Sequence, residues 1–266
     1  MVLVSGTFRS GTSMWMQILQ AAGLPLIGSA YPAYWGDVLG DFNERGFHES
    51  RLRAGVWWKT NPHPETGAYL FPEQTRRHLV KVFAHGLTRT DAAFIDFAVI
   101  TLRDWRSFTR SFDDLHTREK AWFAENNMVF PGSENPKPIP YQWWAQNYEL
   151  IRDIATRRHS ARFLTYDRTL RNPSMEIGAV LDALGIEDPA KRAAAIACVE
   201  PSLSSPRPPH PHEQAVHPDD AKTFDALFQT IDQGQAIGPE LIERLNATQR
   251  RIVDQGVGPE PAHSSD

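Results

Sequence analysis

A short segment near the start of the chain has the composition of an anion-binding turn. It runs from Gly6 to Ser13 and reads Gly-Thr-Phe-Arg-Ser-Gly-Thr-Ser. Because it follows the apolar run Val2 to Val4 and precedes apolar residues at helical spacing, it is predicted to join a strand to a helix. Gly6 and Gly11 allow a tight nest of amides, and the helix dipole favours an anion there. The spacing of these glycines, G-x4-G, is that of a phosphate-binding loop.

The residue after the second glycine limits which anionic ligands this loop can bind. In loops that bind a nucleoside triphosphate with magnesium, a lysine stands at that position. Here it is Thr12, and the cation of the segment is Arg9. An arginine placed earlier in the turn grips one anionic group but is poorly suited to a β,γ-phosphate pair with magnesium. An ATP-driven motor is therefore disfavoured, and a small-molecule or nucleotide kinase that uses ATP and magnesium is the alternative enzyme class.

A second arginine ends the clearest strand predicted in the chain. The strand runs from Phe94 to Leu102, Arg103 follows it, and Ser111 stands eight residues further on in a predicted helix. An arginine fork at a strand end and a hydroxyl about two helical turns later can converge on one phosphate. The structural alternative is that Arg103 pairs with Asp104 or Asp113 on the surface.

These two segments resemble the sulfotransferase superfamily, in particular its bacterial P-loop-type members. The first motif of that family places a basic residue before Ser-Gly-Thr at a strand-to-helix turn, and its second pairs a strand-ending arginine with a serine eight residues later. The resemblance covers about Val2 to Gly185. It implies transfer of a sulfuryl group from 3′-phosphoadenosine-5′-phosphosulfate (PAPS) to a hydroxyl or amine, with Arg103 and Ser111 on the 3′-phosphate. The residues implied to hold the 5′-phosphosulfate are Arg9, Ser10, Gly11, Thr12 and Ser13.

Other parts of the chain match the family less closely. Phe163 to Asp167 resembles the family's strand ending in Tyr-Glu-x-Leu, which implies that Tyr166 lies near the adenine. The family's basic loop near the C-terminus has no clear copy, and Arg207 is the candidate substitute in the proline-rich segment. Met14 stands where many relatives have a tryptophan that packs on the adenine.

Sulfuryl transfer needs a stabilised leaving oxygen and a base for the acceptor. By analogy with phosphoryl transfer, the transition state is loose, so positioning and electrostatics dominate, and Arg9 is predicted to stabilise the leaving oxygen. Two residues are candidates for the base. Glu49 is slightly favoured because it ends an Asn-x-x-Gly-aromatic-x-Glu segment similar to one in bacterial relatives, and His85 is its rival because it follows the second predicted strand. His48 is a distant third, and a solvated charge or a strand-end cap is the structural interpretation of these residues.

The composition bounds the class of protein. The chain has 266 residues, 41% of them hydrophobic, so a single domain is predicted over residues 1–254, with a disordered tail at 255–266. A net charge of -4 disfavours a general nucleic-acid or membrane-surface binder. Cys198 is the only cysteine, and no signal peptide or membrane span is apparent, so a cytoplasmic protein is expected. The expected partner is a small-molecule, glycan or lipid acceptor, without nucleic acid or stable membrane insertion.

The order of the predicted elements indicates the fold. Strands alternate with helices, which predicts a three-layer α/β fold of the P-loop NTPase type, with helices flanking a central parallel sheet. Ligands of such sheets lie at the carboxyl ends of the strands. Leu79 to Ala84 and Arg162 to Tyr166 are the second and fourth predicted strands. Helices are predicted over Ser50 to Lys59, Glu73 to Leu79, Trp105 to about Ser111, Tyr141 to Arg158, Pro173 to Leu184, Ala190 to Cys198, Asp219 to Asp232 and Pro239 to Asp254.

Three further alternatives remain at the level of the sequence. The alternative to an enzyme is a non-catalytic nucleotide-binding module that has kept the phosphate-binding loop and lost the base. His210, His212 and His217 invite a metal site, but no carboxylate or cysteine lies at a firm ligand spacing, so no metal is predicted. The pairs Trp57-Trp58 and Trp143-Trp144 are candidates for an acceptor pocket, although aromatics at helical spacing are more often core.

Overall fold

The computed structural model of the protein describes residues 1–29, 46–130, 138–200 and 210–256. The chain divides into two compact units. The first comprises Met1–Arg103 with Glu149–Ser205, and the second comprises Asp104–Tyr148 with Pro206–Asp266. The single domain over residues 1–254 stays a prediction.

The first unit contains a four-stranded sheet in which all neighbouring strands are parallel. The strands are β1 (Val2–Gly6), β2 (Leu79–Lys81), β3 (Phe97–Leu102) and β4 (Ala161–Thr165). Their order is β2-β1-β3-β4. In the register, Val4 is opposite Lys81 on one side and Val99 on the other, and Gly6 is opposite Thr101. The segments that follow the strands therefore begin at one edge of the sheet.

Helices flank this sheet, so the predicted α/β class with a central parallel sheet is confirmed. The helices of the two units are, in chain order, α1 (Thr12–Ala21), α2 (Pro72–Thr75), α3 (Ala84–Arg89), α4 (Trp105–Glu125), α5 (Ile139–Arg157), α6 (Tyr166–Arg171), α7 (Pro173–Ala183), α8 (Pro189–Ala197), α9 (Pro218–Asp232) and α10 (Pro239–Asp254). Among the described residues, none of these helices combines the length and the apolar character needed to cross a membrane.

A cluster of buried side chains fixes α1 against the sheet. Trp15, Ile18 and Leu19 of α1 are fully buried with Ile177 and Val180 of α7. Burial of each such side chain stabilises the fold by about 1.5–3 kcal/mol. Because α1 is well packed, its N-terminus, where the predicted anion-binding turn ends, has a fixed position.

Aromatic packing and one buried carboxylate hold the second unit together. Phe224 of α9 lies with its ring centre 5.9 Å from that of Trp105, 5.4 Å from Trp143 and 5.1 Å from Trp144. Asp220, also on α9, is buried and accepts hydrogen bonds from the Tyr141 hydroxyl of α5 and from a guanidinium of α10. Trp143 and Trp144 are fully buried, which confirms that this pair is core.

The helix predicted over Ser50 to Lys59 is wrong beyond its first turn. The structure has a 3-10 helix over Arg51–Ala54. Gly55 then adopts a positive φ of 93° and packs against the backbone of Gly86, a combination that a helix does not allow. This glycine contact is between residues distant in sequence, which local periodicity does not reveal.

Other predicted boundaries shift at the sheet edge. β2 ends at Lys81 rather than Ala84, because Phe83 already precedes the first turn of α3. β4 ends one residue before Tyr166, which begins α6. The helix predicted from Trp105 to about Ser111 continues to Glu125. β2 and β3 are therefore shorter than predicted, since β3 begins at Phe97 rather than Phe94, and short helices follow β2 and β4.

Candidate anion-binding site at the sheet edge

The segment from Gly6 to Ser13, called the cradle below, joins β1 to α1 as predicted. Helix α1 begins at Thr12, and the residue before it, Gly11, has a φ of 96°. Arg9 also adopts a left-handed φ, 63°, which costs a non-glycine residue about 1 kcal/mol. Among the described residues, no side chain caps the N-terminus of α1. The first amides of the helix are therefore available to an anion.

The hydroxyl of Ser10 holds the cradle in shape. Ser10 is fully buried, and its Oγ donates to the backbone carbonyl of Thr7 at 2.6 Å. The same Oγ lies 2.8 Å from Oγ1 of Thr101 on β3. These contacts tie the turn to the neighbouring strand. A direct contact between the Ser10 hydroxyl and a donor molecule stays a prediction.

Arg103 and Tyr166 lie against the cradle. Arg103 Nη1 donates to the backbone carbonyl of Arg9 at 3.2 Å, and its guanidinium carbon lies 5.4 Å from the centre of the Tyr166 ring. A Cβ on Gly11 would approach Cδ2 of that ring to 2.7 Å, so the tyrosine packs closely on the turn. Burial raises the pKa of Tyr166. Arg9, Arg103 and Tyr166, which were predicted from separate motifs, thus lie together at the cradle.

Lys81 is a functional candidate that the sequence analysis missed. It ends β2 and is buried, and its Nζ donates to Ser13 Oγ at 3.2 Å and to the carbonyl of Phe47 at 2.9 Å. The same Nζ lies 3.3 Å from Oε1 of Glu49. A lysine inside the apolar run of β2 was the available signal, because a lysine is almost never buried without a partner.

The charges around Lys81 make the cradle electropositive. Burial lowers the pKa of Lys81, the Glu49 carboxylate opposes this shift, and the positive charge of Arg9 lowers the pKa further. Arg9 is therefore near enough to interact electrostatically with Lys81. An anion bound between them would relieve their repulsion and favour the charged form of the lysine.

Glu49 reaches the cradle in an ion-paired form. Its side chain is 4% exposed, Oε1 faces Lys81, and Oε2 lies 3.4 Å from Nη1 of Arg53. Both carboxylate oxygens therefore face cations, and the role of Glu49 as the base stays a prediction. His48, the third candidate for the base, is buried and has a φ of 54°.

His85 lies on the first turn of α3 and is half-buried. Burial lowers its pKa, Arg89 lowers it further, and Glu149 opposes the shift. The His85 ring centre is 5.5 Å from that of Phe83, which in turn is 4.9 Å from the ring of Phe8 in the cradle. The lowered pKa favours the neutral imidazole, and one aromatic ring separates it from the cradle.

The remaining predicted residues fall elsewhere. Ser111 is buried on α4 in the second unit, and its role stays a prediction. Arg207 lies outside the described residues, as do residues 257–266 of the predicted tail. His210 and His212 face Asp113 at 3.3 and 3.8 Å. Within the described ranges, no group of three or more His, Cys, Asp and Glu side chains is arranged to hold a metal ion.

Comparison with known proteins adds no family to these observations. No family model matches the chain, and no curated protein matches it significantly. The functional argument therefore depends on the motifs and on the geometry of the cradle.

Proposed function

We propose that the protein is a PAPS-dependent sulfotransferase with a P-loop NTPase-like fold. It would transfer the sulfuryl group of PAPS to a hydroxyl or amine of an acceptor and release adenosine 3′,5′-bisphosphate. The proposal is supported by the cations at the cradle and by the hydrogen bond from the Lys81 ammonium to the Ser13 hydroxyl.

The position of the Lys81 ammonium carries the proposal. In magnesium-dependent P-loop enzymes, the hydroxyl two residues after the second glycine binds the metal. The corresponding residue is Ser13, and its Oγ accepts a hydrogen bond from Lys81 Nζ. A fixed positive charge therefore stands where such enzymes hold magnesium. A phosphosulfate has one negative charge fewer on its terminal group than a triphosphate, and it suits a site whose cations are side chains.

The cradle residues have distinct roles in this proposal. The amides at the start of α1 bind the 5′-phosphosulfate. The Lys81 ammonium, whose N–H groups face Ser13, Phe47 and Glu49, contributes its positive charge beside them. Arg9 stabilises the charge that develops on the leaving phosphate oxygen. Arg103, held between the Arg9 carbonyl and the Tyr166 ring, binds the 3′-phosphate, and the ring of Tyr166 contacts the adenine.

We assign the base to His85 rather than to Glu49, because both carboxylate oxygens of Glu49 face cations. As the acceptor oxygen bonds to sulfur, its proton passes to the neutral His85 imidazole, and the bond between sulfur and the 5′-phosphate oxygen breaks. The lowered pKa keeps the imidazole unprotonated at neutral pH. Glu49 holds Lys81 in place through the 3.3 Å ion pair and acts as a positioning residue.

Transfer of radiolabelled sulfate from PAPS in the presence of EDTA tests the proposal. We expect transfer to an acceptor mixture, or slow hydrolysis to sulfate, without added metal. Arg9→Ala should lower this turnover by about a hundredfold. Arg152→Ala, which changes an exposed arginine on α5, is the matched control and should leave it unchanged.

The same assay separates the two alternatives. Phosphoryl transfer from ATP that depends on magnesium, without transfer from PAPS, would identify a kinase instead. Tight binding of adenosine 3′,5′-bisphosphate without any turnover of PAPS would identify a non-catalytic nucleotide-binding module.

A further inference from the structure

One surface loop of the first unit exposes large aromatic side chains. The segment from Trp57 to Phe71, called the aromatic loop below, contains Trp58, Tyr69 and Phe71, which are 68%, 61% and 53% exposed. Among the described residues, the only other aromatic among the exposed large hydrophobic side chains is Phe8 of the cradle. Exposed apolar side chains that cluster in this way mark interaction sites.

The backbone of the aromatic loop is well ordered by internal hydrogen bonds. Asn61 Nδ2 donates to the carbonyl of Leu70 at 2.9 Å, and the Leu70 amide donates to Asn61 Oδ1 at 2.8 Å. Within this closure, the amide of His63 donates to the carbonyl of Ala68 at 2.8 Å. The exposed aromatics are thus carried by a closed, hydrogen-bonded loop, which lowers the entropic cost of binding through them.

The polar side chains of the loop bond mainly to its own backbone. Thr60 Oγ1 accepts from the amide of Trp57 at 3.0 Å, and Nδ1 of His63 accepts from the amide of Glu65 at 3.1 Å. Thr66 Oγ1 accepts from the amide of Ala68. A polysaccharide site needs amide and hydroxyl side chains directed at the sugar hydroxyls. Here such groups serve the loop itself, while the rings face outward.

The aromatic loop contacts more cations than the one carboxylate it contains, Glu65, although the whole chain has a net charge of -4. Arg51 Nη1 lies 3.4 Å from a loop carbonyl, that of Thr60, and the Arg89 guanidinium lies 5.0 Å from the ring centre of Trp57. The Lys59 ammonium lies 5.4 Å and 4.9 Å from the ring centres of Trp57 and Trp58. The partner must therefore offer negative charge together with an apolar region that accepts aromatic rings.

We propose that the aromatic loop docks the protein on an anionic lipid surface. Trp58, Tyr69 and Phe71 would enter the headgroup region, where aromatic rings with polar surroundings are favoured. Lys59, Arg51 and Arg89 would face the lipid phosphates. This docking is peripheral and involves no spanning helix. It rests on the loop alone and is independent of the proposed sulfotransferase activity.

Co-sedimentation of the full chain with vesicles tests the docking. We expect binding to phosphatidylcholine vesicles that contain phosphatidylglycerol, little binding to phosphatidylcholine alone, and weaker binding at higher salt. Trp58→Ser should weaken partitioning by about tenfold, because a buried indole contributes the equivalent of 1.4 kcal/mol or more. Lys59→Gln should weaken it by about fivefold.

Met175→Ser is the matched control, since Met175 is 52% exposed on α7, outside the loop. It should partition as the parent protein does, and circular dichroism should show that every variant is folded. Equal binding by Trp58→Ser and the parent would overturn the proposal. Absence of vesicle binding, or binding to an acidic polysaccharide such as heparin in its place, would overturn it too.

Discussion

Substitution of Lys81 by methionine probes the interaction on which the cradle depends. The change removes a buried cation and leaves the Glu49 carboxylate, 4% exposed, with Arg53 as its nearest partner at 3.4 Å. Loss of one member of a buried ion pair costs about 3–5 kcal/mol. Arg53, whose side chain is 47% exposed, still offsets part of the charge of Glu49. We therefore expect the free energy of unfolding to fall by about 3 kcal/mol, the lower end of that range.

A double-mutant cycle isolates the pair. Glu49→Gln in the Lys81→Met background removes the uncompensated charge, and it should recover about 2 kcal/mol of the free energy of unfolding. Urea denaturation followed by circular dichroism measures all four proteins. Lys59→Met, which changes an exposed lysine of the aromatic loop, should shift stability by no more than about 0.5 kcal/mol. If the effects of Lys81→Met and Glu49→Gln are simply additive, the two side chains are not coupled and the argument is wrong.

Three further predictions concern the ligand site. Gly11→Ala should cost about 2 kcal/mol more than Gly67→Ala in thermal unfolding, because both residues have a positive φ but only the first would crowd a ring, and equal costs would contradict the packing. The kcat/KM for PAPS should fall as the pH drops through a value below 6.5, since burial lowers the pKa of His85 and its neutral form is required; a profile unchanged in His85→Asn would exclude it as the base. Arg103→Ala should weaken nucleotide binding by at least about tenfold in calorimetry, whereas Arg9→Ala should chiefly lower kcat, and normal behaviour of both variants would refute the assignments.

The parts of the site that local motifs define were predictable from the sequence. The glycine spacing of the cradle is a local pattern, and the strand before it is marked by its apolar residues. Arg103 and Tyr166 follow apolar strands, and in a parallel sheet such residues meet at one edge. Their contact with the cradle therefore follows from alternation of strands and helices, which the sequence also indicates.

The role of Lys81 was beyond the sequence because it depends on the order of the strands. Only the pairing of β1 with β2, which places Lys81 opposite Val4, brings the ammonium to Ser13. Glu49 was predicted to act as a base from the segment that it ends, and its ion pair with Lys81 was not predictable because the two residues lie on segments distant in sequence. A charged residue in an apolar strand signals a buried partner but does not identify it.

The two tryptophan pairs show a second limit. Trp57-Trp58 and Trp143-Trp144 look alike in sequence, yet Trp143 is fully buried and Trp58 is 68% exposed. The difference arises because Gly55 packs against Gly86 and ends the helical turn before Trp57. Exposure of that pair thus follows from a long-range backbone contact rather than from local periodicity.

Calorimetric titration with adenosine 3′,5′-bisphosphate in the presence of EDTA tests the central claim most directly. The claim is that side-chain cations, with Lys81 beside Ser13, do the work that a metal ion does in ATP-dependent P-loop enzymes. We predict binding that is unchanged by added magnesium and is weakened at least about tenfold by Lys81→Met. Nucleotide binding that requires magnesium and prefers ATP, with Lys81→Met binding as the parent does, would contradict the account.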